Sequence, residues 1–374
     1  MRRVNKALII LIILGISAIG CKNNKKSGKD DQLGALTNLM ILMSLSNAAT
    51  CVNTGTNHYF GTARDNSQNI LYLQSADGSC WEKYSGTGPE IKYGATGTGI
   101  SVTSDGTKSE IYYTTDGQNY TKAVTPVFAG NVTDIKFFNG AFYAAVSDST
   151  VKILTSTDGK TWTKPANTGL TLTSVNAVTG YANGGTNYLM ATANSSTCPV
   201  FNRSTDGGAN WTAPGVCVWA GFNIINSLMS GNSTVVGFDS SGQMLKSTDH
   251  GASFTQSYPL SGRISTSNPD VKGLGFFAGK YFVQAYKNST AGYPVFTSPD
   301  GINWTESGAT TFGGTSTSVS LLSNVVQGAS NRLVSPYYYS EDGGNNWKKS
   351  TGYKLEATGG SFYIMMPSYV LYVP

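Results

Sequence analysis

Charge is scarce in this 374-residue chain: Asp, Glu, Lys and Arg together make up 13% of it. The net charge of +5 belongs to the first thirty-one residues, because from residue 32 onward there are 19 basic and 19 acidic side chains. A formally neutral region argues against a nucleic-acid partner, which needs a clustered basic surface. Histidine occurs only as His58 and His250, and no Cys-x-x-Cys pair or Cys/His cluster exists. A metal centre is therefore not expected, and neither is any other cofactor. No G-x-x-x-x-G-K-[ST] loop is present to cradle a phosphate. The apolar run Ala7 to Ile19 is short for a membrane-spanning helix. Residues 49 to 374 carry no long helical periodicity, which excludes a helical bundle.

Glycine is abundant, at 44 residues, and tyrosine reaches 21. One short motif recurs seven times among them. It reads SADGSCW from Ser75, TTDGQNY from Thr114, STDGKTW from Ser156 and STDGGANW from Ser204. It returns as STDHGASF from Ser247, SPDGINW from Ser298 and SEDGGNNW from Ser340. The starts lie 39, 42, 48, 43, 51 and 42 residues apart, a period typical of stacked or radial folds. Asp-Gly is a strong hairpin signal, since glycine supplies the positive φ of a tight turn. The carboxylates of Asp77, Asp116, Asp158, Asp206, Asp249, Asp300 and Asp342 can each accept backbone N–H bonds within their own turn. The closing aromatic can cover the hairpin. This explains the motif without any chemistry on a substrate.

Ser204 to Trp211 fits S-x-D-x-G-x-x-W at every fixed position, and so does Ser340 to Trp347. The motif resembles the Asp box, or bacterial neuraminidase repeat, of sialidase-like β-propellers. That resemblance implies that each copy joins the third and fourth strands of a blade. The sequence between copies agrees: Val132 to Phe138, a turn at Asn139-Gly140, Ala141 to Val146, Val151 to Thr155, then Thr161-Trp162-Thr163 opening a fourth strand. The expected fold is all-β: a seven-bladed propeller of four-stranded antiparallel blades over residues 49–374. Three further strands, Lys354 to Thr358, Ser361 to Met366 and Tyr369 to Val373, either close the ring on the first blade or form an eighth.

Residues 1–20 read as a signal peptide, with Arg2, Arg3 and Lys6 before the apolar run. The run ends Ser17-Ala18-Ile19-Gly20-Cys21, which resembles a relaxed bacterial lipobox and implies lipidation of Cys21. The alternative is an ordinary signal peptide with an incidental cysteine. Residues 21–48 then form a polar tether, Lys22 to Asp31, and a short apolar segment, Leu36 to Leu45. With Lys22 rather than Asp after Cys21, the lipoprotein sorting rule favours the outer membrane, facing the periplasm or the surface. The other cysteines, Cys51, Cys80, Cys198 and Cys217, permit three pairings. Flanking positions favour Cys51–Cys80 and Cys198–Cys217 in an oxidising compartment, with free thiols as the alternative.

The resemblance also implies what a sialidase needs: three arginines, a Tyr–Glu pair and an Asp. An Arg-Ile-Pro motif should precede the first box, yet Arg64 is followed by Asp65, and Arg263-Ile264 by Ser265. Only Arg64, Arg203, Arg263 and Arg332 lie beyond the leader. Glu82, Glu90, Asp134, Asp239, Glu306 and Glu356 lie outside the boxes, and spacing does not pair any two of them. His58 and His250 read as satisfied structural residues. No catalytic, cofactor or metal residue is assigned, and the sequence leans away from an enzyme. The expectation is a monomeric, membrane-anchored binding or interaction module for a glycan or protein. A divergent glycoside hydrolase and an envelope-protein assembly factor are the alternatives.

Overall fold

The computed structural model describes residues 58–65, 67–95, 97–193, 200–213, 228–231, 233–238, 243–260, 271–287, 293–307, 325–356, 362–365 and 369–374. The leader, the tether, Cys21, Cys51, Cys198, Cys217, Asp239 and Arg263 lie outside them.

The strands follow from turn chemistry and apolar runs, and they assemble as seven blades of a β-propeller, four- or three-stranded and antiparallel. Their described strands lie within 59–84 together with 369–372 (blade 1), 91–122 (blade 2), 132–156 (blade 3), 177–204 (blade 4), 228–257 (blade 5), 271–306 (blade 6) and 326–349 (blade 7). Blade 3 illustrates the first three strands. Its inner strand Val132–Phe138 turns at Asn139-Gly140 into the second strand, Ala141–Val146. A third strand, Ile153–Ser156, then leads into the repeated turn. Every residue of Ala141–Val146 is buried. Strand alternation explains how both faces are used. Phe142, Ala144 and Val146 pack toward blade 2, while Ala141, Tyr143 and Ala145 pack toward blade 4.

This division holds around the ring. Among the described residues, the buried apolar side chains fall into seven clusters, each shared by two neighbouring blades. The seventh joins blade 7 to blade 1, through Val326 and Val334 on one side and Leu73 and Trp81 on the other.

Ring closure comes from the C-terminal end. Tyr369–Tyr372 is the inner strand of blade 1, antiparallel to Tyr59–Arg64, with Val370 opposite Gly61. The outer strands of that blade are Ile70–Ser75 and Glu82–Tyr84. Val370 then faces the blade 7 cluster and Leu371 the blade 2 cluster. Tyr353–Glu356 and Phe362–Met365 pair only with each other as a hairpin, so no eighth blade forms among the described residues.

Blades 3 and 4 depart from the expected four strands. Among the described residues the outer strand shrinks to one bridge in each, Thr155 with Thr163 and Arg203 with Thr212. In blade 3, Pro165 follows two residues on; it offers no N–H to extend the ladder and restricts the residue before it. Pro214 holds the same place in the sequence after Thr212. Cys80 is disulfide-bonded, and its possible partners, Cys51, Cys198 and Cys217, all lie outside the described residues.

Candidate functional site

The seven repeated aspartates are occupied locally. Asp158 Oδ1 accepts the backbone N–H of Lys160 at 2.8 Å and of Thr161 at 3.0 Å, and Ser156 Oγ donates to it at 3.0 Å. In the longer copies the backbone N–H comes four residues on: Asn210 to Asp206, Ser253 to Asp249 and Asn346 to Asp342, each at 2.9 Å. Asp116 and Asp300 add an asparagine side chain on the second carboxylate oxygen. Asp77 accepts Ser79 N–H at 2.9 Å. The Thr161 backbone N–H and the other donors hold Asp158 below the usual carboxylate range. For Asp116, burial pushes upward, but the Asn119 and Gln118 donors outweigh it and bring the carboxyl to about 2.

The closing aromatics are interior side chains. Trp162 is 2% exposed and sits in the cluster shared by blades 2 and 3. Its Nε1 donates to Gly159 O at 3.0 Å. Trp304 meets Phe238 of blade 5 edge-on at 5.3 Å, and Phe254 stacks on Phe201 of blade 4 at 4.8 Å. The motif thus fastens each blade to the one before it. Each of its carboxylates accepts at least one hydrogen bond within its own turn.

The centre of the ring is different. A cavity of about 920 Å³ is walled by the inner strands of blades 2 to 6. The free edge of each inner strand faces this channel, and unpaired backbone groups there need partners. Side chains from neighbouring blades supply them. Phe137 N–H donates to Tyr93 Oη at 2.9 Å, and Val178 N–H to Asp134 Oδ2 at 3.2 Å. Thr133 Oγ1 donates to Val175 O at 2.7 Å, and Ser230 Oγ to Gly180 O at 2.6 Å.

The inner strands carry bulges between Ile91 and Tyr93 and between Val132 and Asp134. A bulge leaves one residue unpaired and re-aims its side chain; here those residues are Lys92 and Thr133, and both line the channel. Lys136 lies deeper in the same wall, 3.1 Å from Asp134 Oδ1. Burial alone would lower its pKa, but the Asp134 carboxylate and the Tyr93 hydroxyl reverse this and hold it above its ordinary value. Burial also raises the Tyr93 hydroxyl. The rest of the wall is mixed: Phe137, Phe276, Phe277 and Met229 stand beside Asn131, Asn139, Thr179 and Ser230.

Asp134 is the one carboxylate on this wall among the described residues, and both of its oxygens are engaged. Glu90 lies near the start of the blade 2 inner strand, held by Lys92 at 2.9 Å and Arg64 at 3.4 Å. Glu306 pairs with Lys287 on the outer strand of blade 6. The described arginines hold separate local partners. Arg203 lies over Tyr188, and Arg332 bridges Asp77 and Glu341 at the junction of blades 7 and 1. The histidines are satisfied: His58 Nδ1 contacts Val373 O at 3.0 Å, and His250 bonds Tyr181 Oη and stacks on Tyr188. No group of three or more His, Cys, Asp or Glu side chains is poised for a metal among the described residues. Sequence reasoning singled out Asp134 only as one of several carboxylates, and missed Lys92, Tyr93 and Lys136 altogether.

The sequence profile of a family described as the DUF6242 beta propeller domain matches residues 93–218, about a third of the chain. No protein with a curated description matches by sequence. Among solved structures, the chain is similar to YCF48 from Cyanidioschyzon merolae at 11% identity, over 77% of this chain and 94% of that one, with a TM-score of 0.46. It is similar to the Niastella koreensis GH74 enzyme at 15% identity, over 82% of this chain and 58% of the enzyme, with a TM-score of 0.38. It is also similar to PorZ, a surface component of the type-IX secretion system of Porphyromonas gingivalis. That match has 11% identity over 83% of this chain and 38% of PorZ, with a TM-score of 0.44. At these identities and scores the likeness says nothing of what this chain binds or does.

Proposed function

We propose that the chain is an exported, lipid-anchored β-propeller that works as a non-catalytic binding module at the bacterial cell envelope, with its central channel as the contact site. One observation carries this reading: the repeated carboxylates are hydrogen-bonded within their turns, and among the described residues the channel wall offers a single carboxylate, both of whose oxygens are engaged. General acid–base cleavage of a glycoside needs a facing pair. The cavity volume lies in the range of small-ligand sites, which combine apolar walls with a few placed polar groups. Cys21 is the proposed lipid attachment point, and Cys51 the proposed partner of Cys80.

The test is direct binding of the purified chain to arrays of envelope glycans and envelope-protein peptides, before and after Lys136→Met. Binding weakened by the channel substitution, with the thermal midpoint retained, supports the reading. Binding that is untouched by it, and lost instead on altering an exposed rim residue such as Val127, contradicts the channel assignment and favours a protein-docking rim.

A further inference from the structure

We infer that the channel takes a small amphipathic anion: a flat apolar body against Phe137, Phe276 and Phe277, with its carboxylate or sulfonate at the Lys136 ammonium. The inference rests on the binding-module reading and names the ligand class for the same cavity. Four features of the wall support it.

The first is polarity. The wall's carboxylate is closed on both sides, since Asp134 Oδ1 meets Lys136 and Oδ2 accepts Val178 N–H. It has little left to offer a cation. The second is donor supply. A lysine ammonium has three N–H donors; Asp134 engages Lys136 Nζ on one side, and the Lys136 side chain remains 25% exposed. The third is the ring surface. Phe276 is fixed in place, because it lies where a side chain on Gly231 would project, its ring 2.3 Å from that Cβ position. It also meets Tyr281 edge-on at 4.8 Å. A fixed ring offers contact area with little ordering cost. The fourth is size. About 920 Å³ suits a compact molecule of two or three rings or a short chain. In such a partly dry wall, a charge-assisted bond to Lys136 is stronger than at a surface.

The experiment compares two dyes with the same naphthylamine body. 8-Anilinonaphthalene-1-sulfonate carries the anion, and N-phenyl-1-naphthylamine lacks it. Each is titrated into the purified full chain by fluorescence. The expected result is one saturable site that binds the sulfonate dye about tenfold more tightly than the neutral one. Lys136→Met should remove that margin and leave the neutral dye unchanged, whereas Lys136→Arg should keep most of it. Circular dichroism on each variant separates misfolding from lost binding, and the wild-type comparison needs no variant. Equal affinity for both dyes, with decanoate displacing neither, would overturn the anion assignment while the channel remained a binding site. Saturable binding of neither dye would overturn the inference and leave the binding module to be judged by the glycan and peptide arrays.

Discussion

Asp158 and Trp162 divide the work of the repeated turn between them. The aspartate gathers two backbone N–H groups and a serine hydroxyl, and the tryptophan fills the gap between blades 2 and 3. Trp162→Ala is expected to cost about 3–5 kcal/mol, as removal of a large buried ring does. Asp158→Ala should cost about 1–3 kcal/mol through orphaned donors. Urea unfolding midpoints measure both. The carboxylates also set an acid limit. A folded pKa below the unfolded value near 3.9 contributes stability that is complete above the unfolded value and lost as pH falls through the folded one. With Asp116 at about 2 and Asp158, Asp206, Asp249 and Asp342 also lowered, that loss is expected between about pH 4 and pH 2. Asp116→Asn should make the midpoint less dependent on pH in that window. An unchanged slope would show that these bonds matter little.

At the scale of the element, the turn is defined as much by what it touches as by its own hydrogen bonds. Gly78 has φ +77°, and a Cβ there would lie 2.4 Å from Val334 of blade 7. Gly140 has φ +74° with nothing within 4 Å. Gly140→Ala should therefore cost only the left-handed strain, about 1 kcal/mol, while Gly78→Ala adds overpacking of about 1–3 kcal/mol. Equal costs in denaturation would mean that the turn does not key into the next blade. This contrast also explains what the sequence could show. Ser, Asp, Gly and Trp act within eight residues of one another, so the repeat and the strand order were readable from local chemistry, whereas seven blades against eight was decided only by the pairing of Tyr369–Tyr372 with Tyr59–Arg64. The channel was not. Lys92 and Lys136 look like solvated strand lysines in the sequence, and a bulge and a ring closing over some three hundred residues turn them inward. The shortened outer strand of blade 3 had a local cause, Pro165, that the repeat pattern masked.

The molecule as a whole depends on its last strand. Tyr369–Tyr372 completes blade 1 and carries Val370 and Leu371 into the clusters on either side. Deleting residues 369–374 should open the ring, leave Tyr59–Arg64 as a bare edge, and replace one cooperative unfolding transition with a broad one and a tendency to aggregate. Calorimetry would register either outcome. The repeated carboxylates are hydrogen-bonded within their own turns, Asp77 also pairing with Arg332, and the proposed site of recognition is the channel. The most direct test is hydrolysis of a panel of fluorogenic glycosides, sialosides included, by the folded chain. The account predicts no turnover above a heat-denatured control. Turnover abolished by Asp134→Asn or Glu90→Gln would contradict it and make the channel an active site.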